Sequence, residues 1–163
     1  MMCYTEKEIV SEVMLMIPTV RVQLLRDGAV LPSYGSAFAA GADLRACTDA
    51  PFTEIRSGET KLIPTGVAME IPAGYVGLVC ARSGVACKRG LAPANKVGVI
   101  DSDYRGEILV ALHNHSGETQ RIERGERIAQ LVITPYLAVQ FTEADTLEDT
   151  VRGAGGFGST GSK

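Results

Sequence analysis

The sequence predicts an all-β domain, and three observations carry that prediction. Short apolar runs recur between turn residues along most of the chain. Glycine supplies 18 of 163 residues, about 11% against an average near 7%, and seven prolines add to the punctuation. Strand-like and helix-like segments do not alternate in the βαβ sense, which discounts a parallel α/β fold. Length fits a single domain, since one is expected for about every 150 residues. A sandwich, a barrel and a jelly roll are all compatible with this texture.

Taken in order, residues 1–17 form an extension compatible with either a short helix or a loose segment. Apolar runs then follow at VRVQLL (20–25), DLRAC (43–47), GVAMEI (66–71), YVGLVC (75–80), KVGVI (96–100), EILVAL (107–112) and RIAQLVI (127–133). Turns are expected at SGE (57–59), IPAG (71–74), NHSGE (114–118) and ERGE (123–126), where Gly, Pro, Asn and Ser accept tight-turn geometry. After the extension, one segment permits helix, SGVACKRG (83–90), for one or two turns. The core domain is expected over residues 18–150. Residues 152–163, RGAGGFGSTGSK, hold five glycines in twelve positions and no apolar pattern, so 151–163 reads as a glycine-rich C-terminal arm.

Composition excludes several functions. A net charge of −3 and a pI near 5.4 argue against a nonspecific nucleic-acid binder, which needs a basic face. A small phosphorylated ligand needs only a few placed cations, and eleven of the sixteen basic residues are Arg. Cys3, Cys47, Cys80 and Cys87 show no CxxC or zinc spacing, so reduced thiols in a cytoplasmic protein are expected. The N-terminal stretch holds three Glu and does not read as a secretory signal. The uncharged apolar windows Val13–Val20 and Leu131–Phe141 are too short for a span of about 20 residues, and no membrane association is expected.

Several constellations could carry chemistry. Gly153, Gly155 and Gly158 match GxGxxG, but the chain ends five residues later with no room for the helix that motif requires. Bare backbone N–H groups there could still curl around phosphate oxygens, with Ser159 and Thr160 adding hydroxyls, Arg152 a charge and Phe157 a flat stacking face. The plain alternative is a disordered tail. In ARSGVACKRG (81–90), Ser83 could cap a short helix whose first N–H groups meet an anion beside Arg82; an ordinary basic surface turn is equally compatible. GVIDSDYRGE (98–107) sets Asp101 and Asp103 at a strand end, either as a solvated hairpin turn or with one Asp as general base for a water and Tyr104 as a flat face. His113 and His115 lack an evident third metal ligand and read as surface residues.

Together these segments resemble the five ordered motifs of the trimeric dUTP pyrophosphatases, the dUTPases. The five are AGADLRA (40–46), ARSGVA (81–86), GVIDSDYRGE (98–107), ERIAQLVI (126–133) and RGAGGFGSTG (152–161). The likeness runs from about Val20 to the C-terminus; Ala42 stands where family members often have Tyr. The resemblance implies a jelly-roll subunit of a homotrimer and Mg²⁺-dependent hydrolysis of dUTP to dUMP and pyrophosphate. Asp101 would deprotonate the attacking water. Asn95 and the backbone around Val97, Gly98 and Ile100 would hold uracil, Tyr104 would stack under the deoxyribose, and Phe157 would cover the base. Arg82, Ser83, Gly84, Gln130, Arg152, Gly158, Ser159 and Thr160 would contact phosphates. Asp43 would sit near Mg²⁺ through water, and the arm would close on a neighbour's site. Two rivals remain: a dCTP deaminase-type relative, and a nucleotide-sensing, protein-binding module without turnover.

Overall fold

The computed structural model describes residues 18–156, so the expectations for residues 1–17 and 157–163 lie outside the described residues. Twelve strands and one short helix make up the described chain, and every strand pairing is antiparallel. In chain order the strands are β1 (Arg21–Leu24), β2 (Ser33–Tyr34), β3 (Ala42–Arg45), β4 (Phe52–Ile55), β5 (Thr60–Pro64), β6 (Val67–Glu70) and β7 (Tyr75–Ala81). The helix α1 (Ser83–Arg89) follows, and then β8 (Leu91–Pro93), β9 (Gly98–Ile100), β10 (Leu109–Asn114), β11 (Gln120–Glu123) and β12 (Arg127–Pro135). The largest sheet runs β2-β3-β12-β7-β9, a second runs β5-β10-β8, and β1-β6 and β4-β11 form two ribbons. This is the all-β architecture that the strand-and-turn texture predicts, of the jelly-roll-like kind that the resemblance implies.

The core follows from alternation. Along β10, Val110, Leu112 and Asn114 point inward while Leu109, Ala111 and His113 point outward, the period of two that pleating dictates. Leu44, Ile63, Val67, Ile108 and Ile128 join Val110 and Leu112 in one apolar cluster, each almost fully excluded from solvent. Burying side chains of this size contributes about 1.5–3 kcal/mol each. Asn114 is the fully buried polar member. Its amide donates to the carbonyls of Ile55 and Glu118, both at 2.8 Å, and its oxygen accepts from Ser116 N–H at 2.9 Å and Ser116 Oγ at 2.7 Å. It pins the NHSGE turn from inside.

All four expected turns fall between strands. Five of the seven expected runs start at a different residue, VRVQLL and GVAMEI one residue late, at Arg21 and Val67. KVGVI begins pairing only at Gly98, because Lys96 sits at φ 65° in the left-handed region, which no strand residue adopts. EILVAL begins at Leu109, because Ile108 N–H is already bonded to Val67 O at 2.9 Å. DLRAC begins one residue earlier, at Ala42, and ends at Arg45. The strands β2, β4, β5, β8 and β11 were not foreseen; β4 and β5 mix polar with apolar residues, β11 is mostly polar, and each of the three buries one isoleucine, Ile55, Ile63 and Ile122.

Strand β12 is central to the largest sheet and carries a bulge. Arg127 opposes Arg45 and Ala129 opposes Leu44, so Ile128 is an extra residue. Ile128 and Ala129 are both buried. Three steps separate Arg127 from Gln130, and in an unbroken ladder strict alternation would put them on opposite sides; the bulge absorbs one step, so both face the same side.

Candidate active site

Two groups of residues stand out, and both are anchored on β7. The first lies across the large sheet. Asp43 on β3 is the cross-strand partner of Gln130 on β12, and Gln130 is the partner of Cys80 on β7, so these side chains form a row on one face. Gly41 lets the row close up: a Cβ there would stand 3.1 Å from Gln130 Cβ. Asp43 is only 5% exposed. Its carboxylate accepts from Arg82 Nε at 3.0 Å and from an Arg127 guanidinium nitrogen at 3.1 Å. A buried carboxylate held by two guanidinium groups is satisfied, and it fixes both cations in place.

Arg82 follows β7 directly and is itself the residue capping α1, with no side-chain capping bond. The expectation that Ser83 caps the helix is therefore corrected. Ser83 is the first helical residue and is exposed, because the extended backbone (φ −89°, ψ 120°) that a cap requires falls one residue earlier. Gly84 is open on its Cβ side, the nearest atom being an Arg82 guanidinium nitrogen at 3.9 Å. Gly90 ends the helix in the left-handed conformation, with Lys88 and Arg89 in the last turn. Arg89 is committed to structure, pairing with Glu126 and donating to Arg121 O and Gln120.

The second group is a slot beside the turn that joins β8 to β9, two strands of different sheets. Asn95, Pro93, Gly98, Ile100, Val79, Leu109 and Ala111 line a cavity of about 100 Å³. A side chain at Gly98 would crowd it: a Cβ would lie 3.2 Å from Val79 Cβ and 3.3 Å from Asn95 Nδ2. The turn exposes Val97 and closes with Val97 N–H to Asn95 O at 2.7 Å and Lys96 N–H to Pro93 O at 3.0 Å. An adjoining cavity of about 190 Å³ shares Val99, Ile100 and Leu109 and adds Asp101, Tyr104 and Glu107. Asp101 is exposed and its carbonyl accepts Tyr104 N–H at 3.1 Å, closing a turn. Asp103 lines a third, outward cavity with Asp101, Ser102 and Tyr136.

The structure thus gathers Asn95, Gly98, Ile100, Asp101 and Tyr104 along β9 and the turns at its two ends, and Asp43, Arg82 and Gln130 around one sheet row. It does not bring the two groups together. The cavities that take in Asn95, Asp101 or Tyr104 are lined by neither Asp43, Arg82 nor Gln130. Val79, partner of Gly98, belongs to the slot side, while the next residue, Cys80, belongs to the Asp43–Gln130 row on the opposite side. Arg152 is exposed and donates to Gly155 O at 2.9 Å within its own turn. Phe157, Gly158, Ser159 and Thr160 lie outside the described residues. Arg127 was not singled out from sequence; the signal, had it been used, is its place in ERIAQ three residues before Gln130.

Among the described residues no group of three His, Cys, Asp or Glu side chains could hold a metal. Both Asp43 oxygens accept from arginines, so direct ligation there would displace a guanidinium. A Mg²⁺ carried mainly by phosphate oxygens and water, with Asp43 behind a water, fits these donors better than an all-protein cage. His113 and His115 pack edge-on at 4.4 Å, and His113 Nδ1 is 2.8 Å from Thr60 Oγ1. Desolvation, then the neighbouring charges of His113 and Lys96, hold His115 below the usual imidazole range.

A β domain with a narrow amide-rimmed slot, a carboxylate beside it and a fixed pair of arginines has the parts of a nucleotide-binding protein. A family model described as dUTPase matches residues 27–161. The deoxyuridine 5'-triphosphate nucleotidohydrolase of Rhizobium meliloti (strain 1021) is 52% identical over 139 residues, covering 84% of this chain and 86% of that one. The protein of the same name from Desulfitobacterium hafniense (strain DSM 10664 / DCB-2) is 54% identical over 132 residues, covering 80% and 87%. A solved mutant dUTPase of Staphylococcus bacteriophage 80alpha with dUpNHpp superposes with a TM-score of 0.79 at 32% identity, covering 88% of this chain and 98% of that one. A mutant dUTPase from phage phi11 of S. aureus, described with a structural Mg(II) ion, reaches 0.70 at 29% identity, covering 80% and 99%. The chain belongs to the dUTPase family. Among the described residues no helix is long and apolar enough to cross a membrane.

Proposed function

We propose that this chain is a dUTP diphosphatase that splits dUTP into dUMP and pyrophosphate with Mg²⁺. The observation that carries the reading is the pair of adjoining cavities that share Val99, Ile100 and Leu109, which sets a base-sized slot beside a sugar platform and a carboxylate. Uracil enters the slot between Asn95 and Gly98, held by the amide and by the backbone around Val97 and Ile100. The small size of the slot, about 100 Å³, disfavours the extra methyl group of thymine. Tyr104 lies under the deoxyribose. Asp101 takes a proton from water as that water attacks the α-phosphorus, and the bond to the bridging oxygen breaks to release pyrophosphate. Arg82, Ser83, Gly84 and Gln130 hold the phosphates; Arg152, Gly158, Ser159 and Thr160 wrap them from the arm, and Phe157 covers the base. Mg²⁺ supplies positive charge to the triphosphate oxygens, with Asp43 reaching it through water. Donors held in place by Asp43 need not reorganise as charge grows on the leaving pyrophosphate.

The opposite facing of the slot and the phosphate row supports a site completed between subunits of a homotrimer. One copy cannot apply both surfaces to one nucleotide. Exposed apolar side chains support contacts between copies: Leu62 and Leu109 on the outer face of β5-β10-β8, and Leu137, Val139 and Phe141 alternating beyond β12. Core residues 18–150 then act with the arm 151–163 of a neighbour, in a cytoplasmic enzyme that limits uracil in DNA and supplies dUMP for thymidylate synthesis.

The described residues lining the slot offer no acid or base to a ring carbon, which disfavours a dCTP deaminase. Asp101 weighs against a binding module without turnover. Pyrophosphate release from dUTP, dTTP, dCTP and UTP, with and without Mg²⁺, tests the reading. Release from dUTP alone, abolished by chelation, is expected; ammonia release from dCTP without pyrophosphate from dUTP would overturn it. A solution mass near one subunit would remove the trimer.

A further inference from the structure

Glu107 ends the segment that carries Asp101 and Tyr104, and its bonds are unusual for a carboxylate in so exposed a neighbourhood. Its side chain is 17% exposed. One oxygen accepts Gly66 N–H at 2.7 Å, and the other accepts from the Arg26 guanidinium at 2.8 Å. Its backbone carbonyl accepts the Tyr104 hydroxyl at 3.1 Å. Both ends of this chain of bonds are stiff. Gly66 is left-handed at φ 71°, its carbonyl accepts Leu25 N–H at 2.8 Å, and a Cβ there would lie 2.6 Å from Ala29 Cβ. At the other end the Tyr104 ring lies so close to Gly106 that a Cβ would stand 2.4 Å from the hydroxyl.

We propose that Glu107 is a positioning residue that sets the height of the Tyr104 ring and so tunes the preference for deoxyribose over ribose. The inference rests on the reading that Tyr104 lies under the sugar. A ring tied down at its hydroxyl cannot slide aside for a 2′-hydroxyl; a ring released from that tie can. Glu107 itself does not touch the sugar. It acts through its own carbonyl, whose place is fixed by the carboxylate's grip on Gly66 and Arg26.

The test compares kcat/KM for dUTP and UTP in four variants of the full chain. Tyr104→Ala examines the underlying reading, Tyr104→Phe removes only the hydroxyl, Glu107→Gln removes the ion pair with Arg26 while keeping an acceptor for Gly66, and Glu107→Gln/Tyr104→Phe combines the last two. Loss of one such bond is expected to lower the dUTP:UTP ratio about tenfold in Tyr104→Phe and by a similar factor in Glu107→Gln. The double variant should be no worse than the worse single, because both act on one bond. A merely structural Glu107 would lower both substrates' kcat/KM equally, and an unchanged ratio in Glu107→Gln beside a lowered ratio in Tyr104→Ala would overturn the proposal. An unchanged ratio in Tyr104→Ala would instead overturn the sugar-platform reading. If Glu107→Gln does not fold, Arg26→Met, which leaves the carboxylate on Gly66, gives the same readout.

Discussion

Replacing Asp43 with asparagine removes a negative charge from between two guanidinium groups while keeping the side chain's shape. Asp43 is 5% exposed, and Arg82 and Arg127 donate to separate oxygens at 3.0 and 3.1 Å. Asparagine offers one of them a neutral carbonyl and turns an NH₂ donor toward the other. A hydrogen bond to a charged group contributes about 1.5–3 kcal/mol. The Arg82 and Arg127 side chains are 26% and 44% exposed, so water recovers part of what each loses. The net destabilisation is about 2 kcal/mol, which for a chain of this size lowers Tm by about 4–8 °C. Asp43→Ala leaves both cations without an acceptor and opens a buried gap, so its loss is about 3–5 kcal/mol. Thermal melts at one fixed protein concentration read this directly, since association would otherwise move Tm. An Asp43→Asn melt within about 1 °C of the parent would refute the claim that this carboxylate holds the two arginines.

Three other outcomes are expected. Asp101→Asn should retain dUTP binding by calorimetry and lose about 10²–10⁴-fold in kcat; near-normal turnover would remove Asp101 from the base role. Gly98→Ala should push a methyl against Val79 and Asn95, cost about 1–3 kcal/mol of stability in urea melts and raise KM for dUTP; unchanged KM would show that the slot lies elsewhere. Truncation after Thr150 should keep the β signature by circular dichroism, yet lose at least the about ten- to hundredfold contribution of a charge-assisted Arg152 contact. Full activity in the truncated protein would dismiss the arm as a lid.

Much of the fold was legible because alternation and turn chemistry are local. IPAG and NHSGE fall where Gly and Asn serve turns, and β3, β6, β7 and β12 were found to within two residues at each end. The strands β4, β5 and β11 were not, since a single buried isoleucine each makes too weak a period; only their partners in the folded sheet decide them. For the site, Asp101 and Tyr104 fall in one short segment that the sequence marks as a candidate, while Asn95 enters only through the family resemblance. Asp43, Arg82 and Gln130 meet only through sheet register. Arg127 escaped notice because its direction depends on Ile128 being surplus to the ladder, which no residue type announces. Ser83 was misplaced as a cap because serine's preference for that position outweighed the extended backbone that Arg82 takes.

That surplus residue has a consequence for how this enzyme can vary. Three steps separate Arg127 from Gln130, an odd count that an unbroken ladder would resolve by turning the cation away from Asp43. By giving up one ladder position the strand keeps the cation in place and adds a buried side chain, Ile128, to the core. Shortening β12 by Ile128 would leave two steps and keep Arg127 on the side of Gln130, so the loss falls on the core and not on the arginine pair. Codon loss and point mutation at this one position therefore strike different parts of the molecule.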